Sequence, residues 1–498
     1  MERGSASKSK RRPKLDYISS MPDPILIQIL SLLETHEAVR TCILSKRWTT
    51  LWTSLTSLSF NFLDFRTGEA LPEWDTINNY WDEETWLLYY GRLETEKNDQ
   101  NRFAQFLNMM LHRREPCDLH NFYLSCTDSR SDTNYSDDDI VEKWIHYSSE
   151  WIQYALRHNV RKFHFSTRLD ESVPTCMFDC SSLERLHLEI YENSWYHSKG
   201  NEVINLPNLK ELYLKKVALD ASLSKRLFSG CPALEDLCLE ECPSRNCHVL
   251  SNKLKRLRII SYIYWRPLFS KFVEKENFFW RISAPNLISL TFMGKTHFFH
   301  NTIFENTTSL INLHVYFTDL MCTDKNIYES FSSVKDLEIK GRFYEELFRD
   351  QVPKLQVFRN VERFLTGGFC FSCQLHSLTR ILEHLPNLKK LTLEHNGRYC
   401  CWFVRNFDLM QMPLHNGEGE PSARSRSIDG GSSTSSSTNG ALSNSSKNLL
   451  SINCKNLSEI KVKYLCNDGS VKRLLDSLLH STMELPNIKI ISFPLSAF

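Results

Sequence analysis

Apolar residues change their period several times along this chain, and the first change frames the rest. From Leu15 to Leu55 they recur at helical spacing in three short blocks. Ile25, Leu26, Ile29, Leu30, Leu32 and Leu33 cover a wide face behind Asp23 and Pro24. There a carboxylate can cap orphan amides, and proline has no amide proton to leave unpaired. Ala38, Val39, Cys42 and Ile43 form the apolar side of a second block, for which Thr35 is the expected cap. Trp48, Leu51, Trp52 and Leu55 fall at i, i+3, i+4 and i+7 of a third, behind Ser45. Three helices in about 40 residues cannot hide so much apolar surface among themselves, so the pattern predicts a partner surface.

Leu58 and Phe60 then read as a first strand. The acidic, Trp- and Tyr-rich stretch from Asp64 to Gln100 shows no clear period and is expected to be an insertion or long loop. Helical spacing returns between Asn101 and Arg114, a strand follows at Phe122 and Leu124, and an acidic loop leads to a second helix over roughly Ile140 to Arg157. From Leu183 onward a repeat takes over. The pattern L-x-x-L-x-L recurs at Leu183, Leu209, Leu234, Leu254, Leu287, Leu310, Val334 and Leu388, with weaker copies at Leu355, Leu457 and Ile488. For the last of these the expected inward set is Ile488, Ile491 and Phe493. Most spacings fall in or near the roughly 20–29 residues of leucine-rich repeats. Each such unit is a short strand plus a return segment that cannot bury its own apolar face, so stacking is what makes a core. The predicted fold is α/β: three N-terminal helices followed by a curved repeat solenoid with strands on the concave side.

Composition narrows the partners. Sixty basic residues against 59 acidic leave a formal charge of +1, so no global field draws in nucleic acid or an anionic membrane. No run of eighteen apolar residues predicts a membrane span. Sixteen cysteines without a secretory pattern point to reduced thiols in the nucleus and/or cytoplasm. Lys8, Lys10, Arg11, Arg12 and Lys14 are either a short import signal or a solvated tail.

The first block carries a resemblance. Asp16, Ile18, Met21-Pro22-Asp23, Ile25-Leu26, Ile29-Leu30-Ser31, Glu37 to Thr41 and Leu44 to Trp48, ending at Leu51-Trp52, are similar in order and spacing to the F-box of plant proteins. Met21 departs from the family's usual Leu and is a hydrophobe of similar size. Leu206-Pro207-Asn208-Leu209, Gly230 to Glu235 and Trp151 to Val160 resemble the divergent leucine-rich repeats of plant F-box proteins. The resemblance implies an adaptor of an SCF-type ubiquitin ligase, docking a Skp1-like protein and through it a cullin, and holding a protein target. Pro22, Ile25, Leu26, Ile29, Leu30, Val39, Leu44, Trp48, Leu51 and Trp52 are the expected docking set, some of them internal to the helices. Positions flanking the inward leucines include Tyr213, Lys215, Arg258, His314 and Tyr316, a mixed-sign face that suits a protein or small ligand better than a phosphate backbone. The alternative is a repeat scaffold whose helical unit is only a cap.

The organisation expected on this reading is a basic tail (1–14), the F-box (15–55), irregular repeats with acidic insertions (56–182), the solenoid (183–415), a Ser/Gly/Asn-rich insertion (416–448) and closing repeats (449–498). Bond chemistry finds no support. No phosphate-cradling glycine loop or elbow serine is present, and no cysteine has an evident activating base. Cys370, Cys373 and His376, with His384 and Cys400-Cys401 downstream, are the nearest approach to zinc spacing, but they fit no compact finger. No enzyme activity, cofactor or metal is expected.

Overall fold

The structure, a computed structural model, describes residues 17–67, 83–126, 138–167, 173–190, 196–197, 203–242, 244–261, 280–294, 302–317, 331–341, 358–367, 378, 381–394, 455–464, 475 and 486–492. The basic tail, the 416–448 insertion, and Cys370, Cys373, His376, Cys400 and Cys401 lie outside them. The chain divides into two compact units, Met1–Leu287 and Ile288–Phe498.

In the first unit, α1 (Asp23–Leu30), α2 (Thr35–Arg40) and α3 (Trp48–Leu51) precede a parallel ladder. Its strands are β1 (Ser57–Asn61), β2 (Asn121–Ser125), β3 (Lys162–Thr167), β4 (Arg185–Ile190), β5 (Glu211–Lys215), β6 (Asp236–Glu240) and β7 (Arg256–Ile260). Helices α4 (Glu83–Arg113) and α5 (Asp138–Arg157) make the first two returns, and α6 (Ala221–Gly230) joins β5 to β6. The register explains the core. Leu58, Phe122, Phe163, Leu186, Leu212, Leu237 and Leu257 face one another in a single buried row. Phe60, Leu124, Phe165, Leu188, Leu214 and Leu239 form a second row two residues on, as the alternation of a strand requires. Each fully buried side chain of this kind contributes about 1.5–3 kcal/mol, and no single strand could collect it alone.

The second unit repeats the scheme in β8 (Ser289–Gly294), β9 (Asn312–Phe317), β10 (Asp336–Gly341), β11 (Arg363–Gly367), β12 (Lys390–Glu394), β13 (Glu459–Tyr464) and β14 (Asn487–Ser492). Leu290, Leu313, Leu337, Phe364, Leu391 and Ile460 make the first row, and Phe292, Val315, Ile339, Thr366, Leu393 and Val462 the second. Thr366 is tolerated because its hydroxyl donates to the Ile339 carbonyl at 2.9 Å. Turns are tied by asparagine side chains. Asn208, Asn286, Asn360 and Asn387 donate to the backbone oxygens of Ser181, Asn252, Ser332 and Arg359 at 2.6–2.8 Å, each reaching the preceding turn of its own unit. These bonds satisfy carbonyls that the ladder leaves over.

Four expectations are corrected. Residues 83–100 are helical, part of α4, and not a loop. Glu83–Arg113 contains no proline and is rich in Glu, Leu, Lys, Arg and Gln, but it is less amphipathic than α5, so no sharp period advertised it. The coil sought at Leu355 has its strand at β11 instead, with Val361, Phe364 and Thr366 as the inward set and Phe358 buried ahead of it. In β14, Ile490 and not Ile491 pairs with Val462, so Ile488 and Ile490 take the register of the two inward rows, Ile490 remaining 52% exposed. None of the first three helices carries a side-chain cap. Thr35 accepts from the Ser59 amide of β1 at 2.7 Å, and Asp23 accepts from Arg47. Both oxygens are occupied by tertiary partners.

Candidate functional site

The helical block is bolted to the first strand. Leu26, Leu30, Ala38, Trp48, Leu51, Trp52 and Leu55 are buried. Arg114, itself buried, donates to the Leu55 carbonyl at 3.0 Å, and the Glu115 amide donates to Thr53 at 3.1 Å. His36 lies 3.5 Å from Asp64 and packs edge-on against Phe65. At the open end the Arg47 guanidinium gathers the Ser19 and Met21 carbonyls and the Asp23 carboxylate, which holds the entering chain on α1.

Among what the block leaves outside are eight large apolar side chains. Tyr17, Ile18, Ile25, Ile29, Leu32, Leu33, Ile43 and Leu44 are exposed, eight of the sixteen large apolar side chains exposed among the described residues. Leu32 and Ile43 are 84% and 88% accessible. A cluster of this kind marks an interaction surface, whereas single exposed leucines do not. Of the expected docking set, Pro22, Ile25, Ile29 and Leu44 are exposed and Val39 is half-buried. Leu26, Leu30, Trp48, Leu51 and Trp52 instead form the inner packing of the block, because the helices are too short to spare two apolar faces. Leu32 and Ile43, part of the same stripes in the sequence, were left off that set and carry the most exposed surface.

The second candidate surface is the open face of the ladder. In the first unit Tyr123, His164, His187 and Tyr213 occupy equivalent positions on β2 to β5 and stack with centroids 4.4, 4.1 and 3.8 Å apart. Cys238 and Arg258 continue the row. Glu189 accepts from His187 in a short contact, the Tyr213 hydroxyl donates to Glu240 at 2.6 Å, and Lys215 lies 3.0 Å from Glu240. Burial, helped by the neighbouring His187, lowers the His164 pKa to about 4, so that ring is neutral at pH 7. Burial first, and then the Glu240 carboxylate, raise the Tyr213 pKa far above its ordinary value. Arg258 keeps half its side-chain surface free and reaches Asp236 only at 3.6 Å.

The second unit builds the same chemistry. Tyr316 donates to Glu338 at 2.6 Å, Lys340 lies 2.8 Å from Glu338 and 2.9 Å from Glu394, and Lys463 closes on Glu394 at 2.6 Å. His314 stands 3.6 Å from Glu338. Burial and the Glu338 bond push the Tyr316 hydroxyl up to about 12. Lys340 reaches Glu394 across an intervening strand because the residue between them is Gly367. A Cβ there would meet Glu394 Cβ at 3.0 Å and its carbonyl oxygen at 3.2 Å. Gly367→Val is therefore expected to lower stability by about 1–3 kcal/mol, measured by urea unfolding, and to weaken the Lys340 bridge.

Nothing in either surface resembles a nucleophilic centre. Burial raises the thiols of Cys126, Cys231, Cys238, Cys242 and Cys247, the third to about 11 and Cys231, Cys242 and Cys247 to about 12, which keeps them protonated at neutral pH. No described helix is long and apolar enough to cross a membrane.

Two family models match segments of the chain. A family model for the F-box domain matches residues 18–60, and the model described as "FBD-associated F-box protein At5g56370, LRR repeats" matches residues 148–300. The F-box/FBD/LRR-repeat protein At5g22660 of Arabidopsis thaliana is 26% identical over 413 residues, covering 78% of each chain. The FBD-associated F-box protein At4g10400 of the same plant is 28% identical over 389 residues, covering 76% of this chain and 77% of its own. The chain therefore carries a segment similar to the F-box domain and a second similar to the leucine-rich repeats of FBD-associated F-box proteins, and over about three quarters of its length it is similar to F-box/LRR-repeat proteins of Arabidopsis thaliana.

Proposed function

We propose that the chain is the substrate-recognition subunit of an SCF-type E3 ubiquitin ligase. The F-box docks a Skp1-like adaptor and through it a cullin, while the repeats, continued as a curved solenoid, hold a protein target. The observation that carries this is the set of exposed apolar side chains from Ile18 to Leu44, on a segment that the F-box model matches. F-box domains in general bind Skp1-type proteins. The mechanism is positional: a target held near a ubiquitin-charged conjugating enzyme reacts at a raised effective concentration, and this chain itself makes or breaks no bond.

The attachment of the block to β1 through Thr35, and to the end of α4 through Arg114 and Glu115, serves that role, since a rigid joint fixes where the first repeats stand relative to the docked adaptor. On the ladder, Arg258 and His314 are the more accessible members of the expected target face, whereas Tyr213, Lys215 and Tyr316 are engaged by carboxylates. The site of action is the nucleus and/or cytoplasm. The test is co-elution of the purified full chain with a plant Skp1-like protein on size exclusion, followed by capture of a cullin. A folded chain that binds neither at micromolar concentration removes the proposal.

A further inference from the structure

Three side chains on the open face of the first unit stand in an arrangement that target recognition alone does not require. His164 on β3 and His187 on β4 are register partners, and Glu189 lies two residues further along β4 on the same face. One ligand atom from each of the three lies within 4.8 Å of the other two. Glu189 is only 12% accessible at its side chain and His187 34%. Tyr123 covers the outer side of the His164 ring and Tyr213 that of His187, so both imidazoles are held between aromatic walls.

We propose that His164, His187 and Glu189 bind a divalent transition metal ion of the zinc class, through two imidazole nitrogens and one carboxylate oxygen, with a fourth position open to solvent. Ligand type selects the ion. Calcium and magnesium require six or more oxygen ligands or a retained water shell on carboxylates, and one carboxylate beside two imidazoles does not supply that. Zinc takes mixed nitrogen and oxygen sets, with bonds of about 2.0–2.2 Å and tetrahedral geometry. Three donors around such an ion stand roughly 3.3–3.5 Å apart, so the cluster closes by small rotations within its aromatic walls. The His187–Glu189 hydrogen bond is exchanged for metal bonds: the single ring proton of His187 moves from Nε2 to Nδ1, which frees Nε2 for the metal with no net proton lost. Sequence spacing could not reveal the set, because His164 and His187 become neighbours only through the ladder.

The experiment is titration of the chelator-treated full chain with zinc chloride alone by calorimetry, and with cobalt(II) by absorption spectroscopy. One site is expected whose affinity falls at least about tenfold in His164→Phe, which keeps the ring stack and deletes a ligand, and in Glu189→Gln. The cobalt spectrum of that site lacks the near-ultraviolet thiolate charge-transfer band that cysteine ligands would produce. Zinc is also expected to raise the melting temperature of the wild type and not of His164→Phe. Equal zinc affinity in wild type and both variants, or thiolate bands in the affected site, overturns the proposal. If His164→Phe folds poorly by circular dichroism, Glu189→Gln alone decides by the same criterion.

Discussion

Ile43→Asp combined with Leu44→Asp is expected to abolish docking to a Skp1-like protein while leaving thermal unfolding of the chain unchanged. The two side chains are 88% and 63% accessible, so a carboxylate there stays hydrated in the free protein and costs the fold little. At an apolar interface the same carboxylates would be buried without a partner, which costs about 3–5 kcal/mol, or more than a hundredfold in affinity. Leu26→Asp makes the necessary contrast. Leu26 is fully buried, so charging it is expected to unfold the helical block, and loss of binding in that variant would say nothing about the surface. Calorimetric affinity and melting temperature, measured on both variants, separate the two effects. If the Ile43 and Leu44 variant binds as tightly as wild type, the docking surface lies elsewhere.

The second large effect is predicted in the aromatic core beneath β1 to β3. Trp151 on α5 is 1% accessible, donates from Nε1 to Asn108 at 2.7 Å, packs edge-on against Phe103 and Trp144, and stacks on Tyr147. Trp151→Ala removes the largest fully buried side chain among the described residues, together with its hydrogen bond to Asn108, at an expected cost of about 3–5 kcal/mol. Domain stabilities are themselves about 5–15 kcal/mol, so this change takes the first unit close to unfolding at ambient temperature. Trp151→Phe keeps most of the packing and should cost markedly less. Urea unfolding followed by circular dichroism reads both, and equal midpoints for wild type and Trp151→Ala would show that the contacts around α5 do not hold the unit together.

Much of the ladder was legible because strands bury alternate residues, and that alternation survives in the sequence at Leu186-x-Leu188, Leu212-x-Leu214 and Leu237-x-Leu239. It failed where the inward residues were atypical. Phe364 and Thr366 do not read as a leucine repeat, and the threonine fits only because Ile339 accepts its proton. Helix α4 was legible from Asn101 onward, but residues 83–100 escaped because polar helix formers mark a helix by composition more than by period. The exposed apolar surface was half legible: periodicity identifies apolar stripes, but which stripe turns inward depends on packing against β1 and α4. The stack from Tyr123 to Tyr213 is the clearest case of information held in register. Its adjacent members lie 23 to 41 residues apart and meet only because four strands align.

Unequal coil length has its own consequence. Lys463 and Glu394 form an ion pair although 69 residues of sequence separate them, and Asn456 still finds Asn387 across the same gap. Glu394 and Lys340, on strands two apart, meet just as closely. The ladder thus accepts added length between strands without losing alignment along them, and the two sides of the protein are free to evolve by different routes. Insertions and deletions can accumulate in the returns, while the open face changes one side chain at a time. A lineage of such proteins can diversify what it captures by point substitution and keep its frame intact through large changes in chain length.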